Sequence, residues 1–163
     1  MADDKQQILK GIEKTVKTYT QGGKVKIEGD AVNFSVPMKF SDDAKPSPIN
    51  FSSQVHDGYV QTFCVMTMDF FDCKGKEPSL DFYKLMNILN LRMKSSCCYF
   101  YTEGALVCSA VAPTVAGFNG EAYWFNTYNL LDTVGRFTPS FYGLLNGHVT
   151  YDELLKIYQE NDL

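Results

Sequence analysis

Two histidines, five cysteines and a short aromatic run are the residues of this chain with chemistry to offer. Their spacing decides how much of it they can perform. His56 and His148 have no Cys, Asp or Glu at metal-site spacing apart from Asp57, directly beside His56, and neighbours in a turn point apart. Structural zinc sites are built on C-x2-C or H-x3-H steps, and neither occurs here, so no metal ligand is expected. Cys97 and Cys98 are adjacent, but in a strand they face opposite ways; they read as two small apolar residues, one per face. A nucleophilic cysteine needs a base and an electropositive setting, which the local sequence does not supply. The acidic pairs Asp3-Asp4 and Asp42-Asp43 fall in polar ends and loops, where solvated charge is the simpler reading. Glycine-rich phosphate loops and a G-x-S-x-G elbow are absent. Tyr123, Trp124, Phe125 and Tyr128 remain, and they read either as core packing or as a binding patch. No catalytic residue and no cofactor is expected.

The elements that must position these residues are organised around the stretch from Pro78 to Ala112. Phe82, Leu85, Met86, Leu89 and Met93 recur at helical spacing and form one apolar stripe. Leu80, Ile88 and Leu91 widen the apolar coverage beyond that stripe, so the helix reads either as a buried core helix or as an interface helix. Pro78 suits a first helical turn and Ser79 a cap. Cys98 and Phe100 then alternate with Cys97, Tyr99 and Tyr101. Glu103-Gly104 turns the chain, and Leu106, Cys108 and Ala110 alternate back, which predicts an antiparallel hairpin.

Upstream, Ile8, Leu9, Ile12, Val16 and Tyr19 predict a helix ended by Gly22-Gly23, and Gly11 inside it suggests a close helix-to-sheet approach. Val25 and Ile27 start a strand. Val32 to Phe40 give the cleanest alternation in the chain, with Pro37 suited to an edge or to the strand's end. Ile49 to Val55 make another strand before the Asp57-Gly58 turn. Tyr59 to Phe71, apolar on both faces, is expected to run through the centre of the sheet. Downstream, Glu121 to Asn146 predict a helix, which Pro139 is expected to break into two pieces. Thr150 and Glu153 form a capping box for a last short helix. Strands in a block between helices indicate an α+β fold: an antiparallel sheet of about five to six strands with helices packed on it.

With 163 residues, 45% hydrophobic and 14% aromatic, the chain is large enough for one domain spanning residues 1–163 without disulfides. Its net charge is −4, and the fifteen Lys and Arg are scattered, so phosphate-neutralising nucleic-acid binding is not expected. No apolar run approaches the roughly 20 residues of a spanning helix. The acidic start MADDKQQ lacks signal-peptide character, and the odd number of cysteines fits reduced thiols. A cytoplasmic location is expected.

From Leu85 to Gly147 the chain resembles the YbjN family, bacterial proteins with the fold of type III secretion chaperones. The resemblance is carried by Leu85-Met86-Asn87-Ile88-Leu89-Asn90, by Cys98-Tyr99-Phe100-Tyr101 with the Glu103-Gly104 turn, and by Phe137 to Phe141 leading to Asn146-Gly147. It implies the order α-β-β-β-α-β-β-α, here with an extra N-terminal strand. It also implies a non-enzymatic homodimer that binds a protein partner, through the helix of Phe82, Leu85, Met86, Leu89 and Met93. The alternative is a small-molecule-binding or enzymatic α+β domain with a pocket lined by Tyr99, Tyr101 and Trp124.

Overall fold

The computed structural model describes residues 2–20, 23–40, 45–92 and 97–160. Helix α1 (Ala2–Tyr19) turns Leu9, Ile12 and Val16 into the core, where all three are fully buried. Four strands follow as two hairpins: β1 (Val25–Glu28), β2 (Ala31–Met38), β3 (Ser47–His56) and β4 (Tyr59–Thr67). Helix α2 (Leu80–Arg92) leads into the hairpin of β5 (Cys97–Thr102) and β6 (Ala105–Pro113), and helices α3 (Gly120–Leu145) and α4 (Tyr151–Glu160) close the order.

The strands form one antiparallel sheet in the order β1-β2-β3-β4-β6-β5. Insertion of β6 beside β4 makes β4 central, as its long apolar run requires, and leaves β5 at the edge. The helices lie on one face. Helix α1 packs over β1, β2 and β3, α3 crosses β4, β5 and β6, and α2 lies against β5, α3 and α4. Period-two alternation aims Val32, Phe34, Phe51, Val60, Cys64, Met66, Leu106 and Cys108 at this layer, and all are buried. Each large apolar side chain so buried contributes about 1.5–3 kcal/mol. The Glu103-Gly104 turn puts both residues at positive φ, 49° and 75°, a primed turn that matches the twist of the flanking strands.

Four expectations are corrected. The run Tyr59–Phe71 is a strand only to Thr67; Met68–Phe71 is a 3-10 turn, closed by the Cys73 amide donating to the Met68 carbonyl at 2.9 Å. That turn buries Met68 and Phe71 and leaves Asp69 exposed, and periodicity cannot separate a short apolar turn from a strand that is apolar on both faces. Pro139 does not break the helix: α3 runs through it. Phe137, Thr138 and Phe141 are buried on both sides of the proline, and packing of that size outweighs the roughly 3 kcal/mol a mid-helix proline costs. Pro78 lies two residues ahead of α2 instead of in its first turn. Gly11 marks a close approach to Phe118 in the loop before α3, not to the sheet: a Cβ there would sit 2.7 Å from the ring.

Pro37 lies opposite Pro48 at the far end of β2, beyond the reach of β1, so its missing N–H leaves no partner unsatisfied. The capping box forms. The Thr150 amide donates to Glu153 Oε2 at 2.8 Å and the Glu153 amide to Thr150 Oγ1 at 3.3 Å.

Candidate protein-binding surface

Most of the reactive side chains are spent on packing, while Cys98 and His148 are exposed. Cys64, Cys73, Cys97 and Cys108 are buried and in no disulfide, and Cys98 alone of the five is exposed. Burial pushes the Cys64 thiol up to about 12, and it raises Cys108 as well, so neither offers a thiolate near neutrality. His56 stacks on Tyr59 with ring centroids 4.7 Å apart, and His148 tilts against Tyr142. Among the described residues, no group of three or more His, Cys, Asp and Glu is placed to hold a metal ion. Asp42-Asp43 and the side chains of Asp3-Asp4 lie outside the described residues.

Tyr99, Tyr101 and Trp124 do not converge on a pocket. Tyr99 is 2% exposed, its ring against Phe141 and its hydroxyl donating to the Thr133 carbonyl at 3.1 Å. Tyr101 packs on Phe82 and Tyr83. Trp124 instead stacks on Tyr19 of α1, with centroids 4.7 Å apart and planes 6° from parallel.

That stack belongs to an exposed aromatic patch. The run on α3 divides by helical phase: Tyr123 turns inward, 1% exposed, and its hydroxyl bonds Ser53 Oγ at 2.7 Å. Phe125 and Tyr128, one turn apart, turn outward and are 66% and 57% exposed beside Trp124. Tyr19, 49% exposed, completes the patch from α1. Its membership was not legible from the run itself, because Tyr19 lies 105 positions before Trp124 in the sequence. Trp124 itself is half-buried. Trp and Tyr, each with a broad apolar face and a polar tip, are among the side chains most enriched at protein-binding hot spots.

The stripe of α2 lies elsewhere. Phe82, Leu85 and Leu89 are 0–3% exposed within the chain's own core, and Met86 is half-buried at its border. Met93 lies outside the described residues. What α2 leaves open is its other side, where Leu80 and Leu91, three turns apart, are 70% and 84% exposed. Asn90 has a further role. Its side-chain amide donates to the Tyr99 carbonyl and accepts from the Tyr99 amide, both at 2.7 Å. It thus pairs with the free edge of β5 as one residue of an added strand would.

The opposite face of the sheet carries no helix. Its apolar centre is set by register: Val65 lies beside Val107, which lies beside Phe100, with Phe63 on the adjoining row and Val111 on the row beyond. Phe63 and Val65 also border a concavity of about 650 Å³ lined by Asn33, Ser35, Asn50 and Ser52 and, from the β1 side, by Lys24 and Lys26; Ser35 and Asn50 bond there at 2.6 Å. Among the described residues, no outward position on β2 to β6 holds an Asp, Glu, Lys or Arg.

No protein-family model matches the chain, and no curated protein matches it by sequence. Among solved structures, a chain of the ExsC-ExsE complex superposes with a TM-score of 0.53, over 83% of this chain and 93% of that one. Sequence identity is 13%, so the likeness is one of fold. The architecture is α+β and type III secretion chaperone-like. No helix among the described residues is long and apolar enough to cross a membrane.

Proposed function

We propose that this chain is a non-enzymatic, chaperone-like or regulatory module that works as one domain, as a homodimer, by binding segments of a protein partner. The observation that carries this reading is the aromatic patch formed by the exposed Tyr19, Phe125 and Tyr128 with the half-buried Trp124, on a chain that buries four of its five cysteines. The fold likeness to a chain of a protein–protein complex supports it. So do the residues from Leu85 to Gly147, which resemble the YbjN family and make the protein a divergent relative of it in this reading. The outer side of α2, with Leu80 and Leu91, adds a second apolar contact on the same helical layer. Extended apolar segments suit such a surface, because stacked rings offer wide contact at low conformational cost. The acidic balance fits a protein of the cytoplasm that does not bind nucleic acid, and membrane contact is no part of this reading.

Fluorescence anisotropy with labelled peptides tiled from unfolded proteins tests the reading. Apolar peptides should bind, and a Phe125→Ser, Tyr128→Ser double variant should weaken them about tenfold or more, with an unchanged melting temperature. Binding by no peptide, together with a metabolite that raises the melting temperature, would establish a small-molecule-binding domain instead.

A further inference from the structure

We infer that the helix-free face of the sheet is the homodimer interface, and that its occupant is the same face of a second copy of this chain. The inference rests on the homodimer reading and names its surface. An antiparallel sheet with one solvated face ordinarily alternates apolar residues inward with polar and charged residues outward. Here the outward positions of β2 to β6 are Asn, Ser, Gln, Thr, His, Pro, Ala, Cys and apolar or aromatic residues, with no formal charge among them. The central row of Val65, Val107 and Phe100 is apolar, with Val65 49% and Phe100 39% exposed. Charge depletion with aromatic and apolar residues at the centre is the compositional mark of an interface core.

The features point to a second copy in preference to a foreign segment. A two-fold interface brings one patch against itself, so any charge near the axis meets its like; a neutral face is what self-pairing requires. With a net charge of −4, contacts between two copies through charged surface would be penalised. The face is also broad. Its five neutral strands, β2 to β6, at about 4.8 Å spacing, with about eight residues each at 3.4 Å, present roughly 700 Å²; β1, whose outward residues are Lys26 and Glu28, borders this patch. Two copies stacked face to face therefore remove roughly 1,400 Å², within the range of specific, stable interfaces, whereas an extended peptide would cover one strip of it. Sheets pack in this way at about 10 Å with strands some 30° apart. The Val65–Val107 row, at the apolar centre, lies nearest the axis.

Charge reversal on Val65 tests this. Val65→Lys and Val65→Glu should each weaken the dimer about 100-fold by sedimentation velocity, through like-charge contact across the axis. An equimolar mixture of the two should recover at least tenfold of that loss. Circular dichroism and melting temperature of each variant check that it folds; Val111, 39% exposed and two outward rows along β6 from Val107, supplies the same pair of variants if Val65 does not tolerate them. A dimer unaffected by either charge overturns the inference and leaves the homodimer reading standing on another surface. Weakening without recovery on mixing overturns the second copy as occupant, and a monomeric native protein overturns the inference and the homodimer together.

Discussion

Burial sets the chemistry of the individual side chains here more than their identity does. The free cysteines could be read from sequence as small apolar residues because Cys97 and Cys98 alternate in a strand, and their burial and exposure follow that alternation. What the spacing could not show is that Cys64 and Cys108, 44 positions apart in sequence, lie opposite each other on β4 and β6. Both are held as thiols by burial, Cys64 with its pKa pushed up to about 12 and Cys108 raised in the same direction. An unfolded thiol ionises near pH 8.5–9. Above that pH the unfolded state binds fewer protons than the folded one, so stability falls as pH rises, by up to about 1.4 kcal/mol per pH unit for each such thiol. Denaturant unfolding across pH 7 to 11 should therefore show a plateau followed by a decline above about pH 9. The Cys64→Ala variant should lose stability overall and decline less steeply. An equal slope in the variant would show that other groups carry the alkaline loss.

Elements were more legible than their junctions. Alternation and helical spacing located every helix and strand, because each buries one face and repeats at its own period. Misreadings fell where packing overrules local rules: at Pro139, carried inside α3 by the buried residues around it, and at Met68–Phe71, where a run apolar on both sides is a turn. On α2, Phe82, Leu85 and Leu89 are covered by the chain's own sheet and helices, while Leu80 and Leu91 on its other side are exposed. Asn90 shows what pattern reading misses. A polar residue on a largely apolar helix satisfies both backbone groups of Tyr99 on the exposed edge of β5, and unpaired sheet edges are ready sites for another strand. Asn90→Ala should cost about 1–3 kcal/mol for the two bonds lost and promote concentration-dependent aggregation, followed by light scattering during mild heating. An Asn90→Ala protein that is destabilised but stays clear would restrict Asn90 to anchoring α2.

For the whole molecule, the sheet divides the surface into two kinds. One side presents the helical layer with its aromatic patch and the outer side of α2; the other presents a neutral sheet face with an apolar centre. In the proposed dimer, stacked sheet to sheet, both helical layers would face outward, so that it would carry two copies of the proposed partner site and would hold a single extended chain at two points. Linked engagement of that kind raises overall affinity by about 10² or more without any new contact. The whole account depends on a second copy, and light scattering coupled to size-exclusion chromatography of the unmodified protein over a dilution series measures that directly. The account predicts a particle of twice the 18.4 kDa chain mass that persists into the low micromolar range. A particle at the mass of one chain throughout the series would contradict it.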